Sequence, residues 1–339
     1  MQPSALPMRR LLDEFQRGFP ITPMPFDALA RQLGVTRDWV LSALSRLTAD
    51  GTVSRVGAVF RPGCLGTGTL AAMAVPAQRL WAVARTVSAQ PEINHNYERE
   101  HRLNLWFVAT GEDPQRLQAV LTRIERLTGL RVISLPLVRD YYIDLGFPLD
   151  GAVRKPGPVA AGQPGPAQPL APDRHDRALL RALQDGLPLT AKPFVTLAGR
   201  AGWREPDAAG LAMERIRTWI EQGSIKRFGV IVRHRALGFT ANAMCAWDIC
   251  DDQVDQLGLE AAQEPAVTLC YRRQRAAAAW PYNLFCMIHG RDRATVEAEL
   301  RQMARRVGLD AYPGTVLFSR QAFKQRGARH VAVPECIDG

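Results

Sequence analysis

The stretch DGTVSRVGAVFR at residues 50–61 decides the fold, because a similar stretch occurs again later in the chain. Residues 222–233 read QGSIKRFGVIVR, with arginine, glycine and apolar residues at the same spacings. Other matches lie in the same order along the chain: LLDEFQRGFP from residue 11 with LLRALQDGLP from 179, LG at 65 with LG at 237, YER at 97 with YRR at 271, and NLWF at 104 with NLFC at 283. The 339-residue chain is therefore predicted to be two copies of one unit.

The front part of each copy is typical of a winged helix-turn-helix. In the first copy, a helix before Gly18 precedes a second helix over residues 26–33. A turn at Gly34 then leads to Thr36, which can cap a third helix that ends near residue 49. The wing is predicted over residues 52–61. The second copy repeats the pattern with helices over 194–200 and 206–222 and a wing from residue 224.

The back part of each copy reads strand, helix, strand, strand, helix, strand. In the first copy these elements are predicted over 69–75, 77–89, 92–100, 104–110, 114–128 and 131–142. That order is the ferredoxin-like βαββαβ arrangement, an antiparallel sheet with helices on one face. The free faces of the two sheets could meet, so we predict an α+β fold of two tandem copies that form an internal pseudo-dimer.

The repeats and the composition set the domain boundaries. Residues 151–173 are rich in proline and glycine and are typical of an extended linker. The predicted domains are 1–62 (first winged helix-turn-helix), 63–150 (first ferredoxin-like domain, catalytic), 151–173 (linker), 174–234 (second winged helix-turn-helix), 235–328 (second ferredoxin-like domain) and 329–339 (tail).

Composition limits the class of partner. The net charge of +10 favours an anion, either nucleic acid or a polycarboxylate. The 43 basic residues include only four lysines, and arginine is the side chain that holds a carboxylate through two parallel hydrogen bonds.

No apolar run is long enough to cross a bilayer and the N-terminus lacks a signal-peptide core, so we expect a cytoplasmic protein with no membrane partner. The six cysteines form no C-x-x-C pair, and free thiols without a metal site are expected.

The run INHNYEREHRLNLWF at residues 93–107 is the most informative for function. His95, Tyr97, Arg99 and His101 occupy every second position, so on an extended strand they would share one face at intervals of roughly 6.6 Å. Two imidazoles, a phenol and a guanidinium suit an anionic ligand that also requires proton transfer. The alternative is an exposed polar strand face.

A helix-turn-helix followed by a ferredoxin-like domain resembles the Lrp/AsnC family of transcription regulators, which implies DNA binding. The charges oppose that function, because residues 36–50 carry Arg37 and Arg46 against Asp38 and Asp50. Residues 204–221 likewise carry three arginines against four acidic residues. A helix that reads a DNA groove needs several phosphate and base contacts. We therefore do not expect DNA as a partner, and an Lrp/AsnC-like regulator remains an alternative.

The module, the run from residue 95 and the second-copy runs CYRR (270–273) and WPYNLFCMIHG (280–290) together resemble siroheme decarboxylases. The resemblance covers residues 8–328, and the chain looks like a fusion of the D and L subunits of that family. It implies removal of two acetate carboxyls from siroheme to give 12,18-didecarboxysiroheme, in haem d1 biosynthesis or the alternative haem pathway. No cofactor is implied, since the iron belongs to the substrate. The expected partners are siroheme, its product and other haem d1 pathway enzymes, and the pseudo-dimer could also oligomerise.

The catalytic residues implied are His95 and His101. Both could donate protons, or one could donate while the other ligates the substrate iron or orients a carboxylate. The second copy has Leu269 opposite His95, so a single catalytic pocket is predicted, in the first copy. The candidate substrate-binding residues are Tyr97, Arg99, Arg55, Asn104, Trp106, Tyr271, Arg272, Arg273, Trp280 and Tyr282.

Several of these residues have a structural alternative. Trp280 and Tyr282 could be core aromatics, and Asn104 and Trp106 could shape the strand turn. Arg227 repeats Arg55 in the second wing as a second carboxylate clamp, whereas His289 is expected to be structural. A third class of function, a tetrapyrrole-binding protein without catalysis, would use the same pocket.

Overall fold

The structure, a computed structural model, describes residues 5–143 and 170–327. The predicted tail at 329–339 and most of the predicted linker at 151–173 lie outside the described residues. Where the chain is described again, the backbone N–H of Leu170 donates to the carbonyl of Cys64 at 2.8 Å. Asp173 then caps the next helix through the N–H of Asp176 at 2.7 Å. The second copy thus begins directly against the first.

Each copy contains the predicted elements in the predicted order. The first copy comprises α1 (Ala5–Glu14), α2 (Pro25–Leu33), α3 (Arg37–Ala49), β1 (Val53–Phe60), β2 (Thr67–Met73), α4 (Leu80–Ala89), β3 (Ile93–Arg99), β4 (Leu105–Gly111), α5 (Pro114–Thr128) and β5 (Ile133–Ile143). The second comprises α6 (Arg174–Leu183), α7 (Pro193–Arg200), α8 (Ala208–Glu221), β6 (Ile225–Val232), β7 (Ala241–Trp247), α9 (Val254–Gln263), β8 (Val267–Arg273), β9 (Leu284–Gly290), α10 (Arg293–Val307) and β10 (Gly314–Gln325).

Local chemistry explains where these helices begin and end. The hydroxyl of Thr36 accepts the N–H of Trp39 at 3.2 Å and starts α3, as predicted. Asp113 caps α5 in the same way through Arg116 N–H at 2.7 Å. Gly34 ends α2 with a φ of 68°, a left-handed conformation that glycine adopts at little cost. The winged helix-turn-helix prediction is confirmed.

The two wings pair with each other. Strands β1 and β6 form a two-stranded antiparallel ribbon in which Gly57 lies opposite Gly229. A side chain at Gly229 would place its Cβ 2.4 Å from the carbonyl oxygen of Phe15, so the close approach of the segment directly after α1 to the ribbon requires glycine there. The helices of both modules share one apolar core that includes Leu11, Phe26, Leu44, Leu179, Phe194 and Ile216. The two helix-turn-helix modules therefore pack as one unit.

The two ferredoxin-like units form a closed eight-stranded barrel in the order β10-β3-β4-β2-β5-β8-β9-β7. Strand β5 of the first copy pairs with β2 of its own sheet and with β8 of the second copy. Strand β10 pairs in the same manner with β7 and with β3. The predicted pseudo-dimer is confirmed, and the exchanged strands add edge pairing to the predicted contact between sheet faces.

The barrel has an apolar interior built by both copies, whose buried members are Leu70, Ala72, Leu103, Trp106, Leu135, Met244, Ala246, Tyr271, Trp280, Phe285, Met287 and Leu317. Helices α4 and α5 cover the outer face of the first sheet, and α9 and α10 cover that of the second. Within the described chain, no helix combines the length and apolar character needed to cross a membrane. The cysteines of the described residues are all free thiols.

Candidate functional site

Strand β3 carries the centre of the site. The ring centroids of His95 and Tyr97 are 6.1 Å apart, and the Arg99 guanidinium lies 5.8 Å from the Tyr97 centroid. Arg99 points into the barrel, where it donates to the carbonyl of Leu317 at 3.0 Å and lies 4.0 Å from the sulfur of Met287. Asn96 points outward and donates to a carbonyl of α4. The predicted alternation therefore places His95, Tyr97 and Arg99 on one face.

The prediction that His101 continues this row is wrong. Strand β3 ends at Arg99, and His101 lies in the following loop, where its Nδ1 accepts the N–H of Leu103 at 3.0 Å. That bond leaves the proton of the neutral ring on Nε2. The ring meets Trp280 edge to face at 5.4 Å. His95 is four residues before the strand end, so about 13 Å of strand lies between His95 and Arg99, and His101 follows only after the chain has left the strand.

His95 is neutral in the unliganded protein. Burial and, second, the charge of Arg55 lower the pKa of His95 to about 4. Arg55 reaches this position from the first wing, where its Nη2 donates to the carbonyl of Ala58 at 2.8 Å. Burial raises the pKa of Tyr97, against the opposing charges of Arg99, Arg235 and Arg233, so its phenol keeps its proton. The wing and the barrel thus meet at His95.

The charges of four guanidiniums act on His95 and Tyr97: Arg55 on His95, and Arg99, Arg233 and Arg235 on Tyr97. Among the described residues, none of Arg55, Arg99, Arg233 and Arg235 forms an ion pair within 4.0 Å. The Nε atom of each is buried and has no hydrogen-bond partner in the described chain, and the same holds for Nη2 of Arg235. Burial lowers the pKa of Arg99. The carboxylate of Asp185 acts on Arg55 without forming an ion pair with it. A buried cation without a paired anion is costly, so this arrangement suits a ligand that supplies carboxylates.

The second copy divides its predicted residues between two faces. Tyr271 and Arg273 face the interior, with the guanidinium of Arg273 4.6 Å from the Tyr271 centroid and its Nη1 donating to Leu135 O at 2.9 Å. Arg272 is on the outer face, contrary to its predicted place in a rim with Arg273. It pairs there with Asp251 at 2.9 Å and Asp255 at 3.4 Å. Those carboxylates already compensate its charge.

The predicted aromatic residues belong to the barrel core. Trp280 is 1% exposed, and its ring lies 4.8 Å from Trp106 and 5.0 Å from Tyr282. The indole N–H of Trp106 donates to the carbonyl of Leu103 at 2.6 Å. Packing of this kind supports the structural alternative for all three side chains. It also holds the loop that carries His101.

The predicted polar residues outside β3 have structural partners. Asn104 accepts the N–H of Val75 and donates to its carbonyl, both at 2.9 Å, so its amide is occupied by backbone. Arg227 lies 3.5 Å from the Gln16 side-chain oxygen, and burial, with Arg17 and Arg55, lowers the pKa of Arg227 to about 10. His289 shares a hydrogen bond of 2.7 Å with Thr268.

Arg233 and Arg235 are the residues that the sequence reasoning missed. The repeat contained part of the signal, since the match already places Arg233 opposite Arg61, and extending it beyond residue 61 places Arg235 opposite Gly63. The charge of Arg235 is present in only one copy, as a site in only one copy would require. Across the part of the chain that the structure describes, no group of three or more His, Cys, Asp or Glu side chains is placed to hold a metal ion.

Fold and site together define a duplicated protein of the AsnC-like ligand-binding class. The model for the AsnC-like ligand binding domain matches residues 65–141 and 236–324. The model for the siroheme decarboxylase NirDL-like HTH domain matches residues 8–53 and 176–225. Both models therefore occur in both copies.

The NirDL subunit of siroheme decarboxylase from Paracoccus denitrificans is 45% identical over 94% of this chain and 95% of its own length. A crystal structure of the siroheme decarboxylase NirDL superposes with a TM-score of 0.66 at 25% identity, covering 95% of this chain and 94% of that one. A second crystal structure, of NirDL with an iron-uroporphyrin III analogue, has a TM-score of 0.65 at 24% identity, covers 96% of this chain and 93% of that one, and supports the fold. The chain belongs to the siroheme decarboxylase NirDL family, whose members are carboxy-lyases.

Proposed function

We propose that this chain removes two acetate carboxyls from siroheme to give 12,18-didecarboxysiroheme in haem d1 biosynthesis. The observation that carries the proposal is the set of guanidiniums near His95 and Tyr97 that form no ion pair within 4.0 Å among the described residues and whose buried Nε atoms have no hydrogen-bond partner there. Siroheme is a flat macrocycle edged by carboxylates, and it supplies the anions that this site lacks. The family assignment agrees with this substrate.

Arg55 and Arg99 bind carboxylates of the substrate on either side of Tyr97. Their guanidiniums can each form two parallel hydrogen bonds to a carboxylate, which fixes the macrocycle relative to β3. Tyr97, protonated because burial raises its pKa, donates a further hydrogen bond through its hydroxyl. These contacts position one acetate beside His95.

Decarboxylation breaks the bond between the acetate methylene and its carboxyl carbon. Carbon dioxide leaves, the electron pair stays on the methylene carbon, and the conjugated macrocycle delocalises it. A proton must then convert the methylene to a methyl group. His95 donates that proton, as general acid.

The bound substrate prepares His95 for this step. Without ligand, burial and Arg55 keep the ring neutral, with a pKa of about 4. A carboxylate held by Arg55 offsets the charge of that residue, which is the smaller cause of the low pKa of His95, and its own negative charge beside the ring favours the protonated form against burial. The ring can then take up the proton that the reaction consumes. His101, in its separate loop, serves the other end of the substrate, where its Nε2–H can orient a carboxylate or supply the second proton.

Anaerobic incubation of the purified protein with siroheme tests the proposal. The expected result is two successive mass losses of carbon dioxide from the tetrapyrrole. His95→Ala and His101→Ala should bind the substrate but lose turnover. Binding without a mass change would identify a non-catalytic tetrapyrrole-binding protein instead, and normal turnover in both variants would refute the assignment of the histidines.

A further inference from the structure

The segment after each wing is the point at which the two copies differ most in charge. Arg61 and Arg233 end the two wings at equivalent positions, and each backbone N–H donates at 2.8 Å to the opposite wing, Arg61 to Ser224 and Arg233 to Thr52. Two residues later the first copy has Gly63 and the second has Arg235. Equivalent backbone positions therefore carry different side chains.

In the first copy the terminal arginine is neutralised within the protein. Arg61 Nη2 lies 3.1 Å from an oxygen of Asp140, and Lys226 Nζ lies 2.9 Å from the other oxygen. Asp140 is 6% exposed, on strand β5 beside Tyr271. This ion-pair network lies at the end of the first wing. The equivalent position in the second copy is occupied by Arg233 and its surroundings.

In the second copy the equivalent cations have no such carboxylate. Neither Arg233 nor Arg235 forms an ion pair within 4.0 Å in the described parts of the chain, and both Nε atoms are buried without a hydrogen-bond partner. Arg233 Nη1 has one contact, 3.4 Å to the carbonyl of Gly51. Both charges act on Tyr97, and that of Arg235 also acts on Arg99. They therefore belong to the surroundings of β3, in the other copy.

We propose that Arg233 and Arg235 of the second copy bind peripheral carboxylates of the tetrapyrrole held against β3 of the first copy, and that each chain has one such site. The proposal rests on the proposed function for the identity of the ligand. Three differences remove the site from the pseudo-symmetric position: Leu269 replaces His95, Gly63 replaces Arg235, and Asp140 binds Arg61. The second copy thus completes the site of the first.

The experiment titrates the full chain with iron-uroporphyrin III and follows the absorbance of the macrocycle. Wild type should bind one ligand per chain. Arg235→Gln and Arg233→Gln should each raise the Kd roughly ten- to a hundred-fold, because each removes a charge-assisted hydrogen bond. Arg235→Lys should lie between them and wild type, since lysine keeps the charge but not the paired donors.

Two matched variants control for charge and for position. Arg301→Gln removes an equal charge from the exposed face of α10 and should leave the Kd unchanged. Arg61→Gln changes the equivalent residue of the first copy and should lower thermal stability without changing the Kd. Thermal unfolding of each variant establishes that the Kd refers to folded protein.

Wild-type Kd in both Arg233→Gln and Arg235→Gln would overturn the proposal, as would two ligands per chain. The proposed function fails separately, if wild type binds the tetrapyrrole and siroheme loses no carbon dioxide. The affinity comparison would still decide the roles of Arg233 and Arg235 in that case. Absence of any binding by wild type would overturn both.

Discussion

The imidazole of His95 lies parallel to the phenol ring of Tyr97, with centroids 6.1 Å apart and planes 10° from parallel. The strand alone produces this arrangement, because the two residues are separated by one position. It places the proposed proton donor beside a side chain that is surrounded by guanidiniums. The acid and the carboxylate-binding groups are thus on adjacent parts of one surface.

The pH dependence of stability should report the buried state of His95. Its pKa is about 4 in the folded protein and about 6.5 when unfolded. Between these values the unfolded state binds a proton that the folded state does not, so the free energy of unfolding falls as the pH falls. Urea unfolding across this range measures the slope of the free energy of unfolding against pH. The slope for wild type should exceed that for His95→Gln by an amount that corresponds to up to about one proton.

Gln115→Asn is the control, because it changes an exposed side chain of α5 that does not titrate. Its slope should match that of wild type. Equal slopes for wild type and His95→Gln would show that His95 is accessible and protonated in the folded protein.

Asn104 and Asn283 occupy equivalent positions in the two copies, and removing either side chain should lower the stability of the protein. Asn104 clamps the backbone of Val75, and Asn283 clamps Ile249 with bonds of 3.0 and 2.9 Å. Alanine at either position leaves a backbone N–H and a carbonyl without their partner, which should cost about 1–3 kcal/mol of unfolding free energy. Denaturant unfolding measures this loss.

The same variants separate a structural role from substrate binding. Since both Asn104→Ala and Asn283→Ala remove a clamp, folded protein of each should keep the wild-type KM for siroheme. A KM that rises only in Asn104→Ala would restore the predicted contact between Asn104 and the substrate.

The helix-turn-helix modules should not recognise a DNA sequence. Arg37 at the start of α3 lies 3.5 Å from Asp38, and Arg215 of α8 pairs with Asp176 at 3.0 Å. The wings pair with each other rather than extend toward a ligand. Fluorescence anisotropy at physiological salt should therefore show only weak binding that is equal for all duplexes and falls steeply with salt. Sequence-dependent binding would contradict this expectation.

Local sequence predicted most elements of this protein because each depends on neighbouring residues. Thr36 starts α3, Gly34 ends α2, and α5 covers 114–128, as the pattern indicated. The internal repeat predicted the pseudo-dimer, because two copies of one sheet have equivalent free faces that can meet. The predicted strand over 92–100 agrees with β3 to within one residue at each end, but the alternation of polar residues continues through His101 and did not show that His101 lies beyond the strand.

The sequence by itself determined the duplication, the two module types and the row of His95, Tyr97 and Arg99, because periodicity and spacing carry that information. Only the tertiary structure decided which charges remain uncompensated. Arg61 and Arg233 look alike in the repeat, yet Arg61 pairs with Asp140 of β5 whereas the charge of Arg233 acts on Tyr97 of β3. Such contacts join residues that are distant in the chain, so they depend on how β5 and β10 cross between the copies.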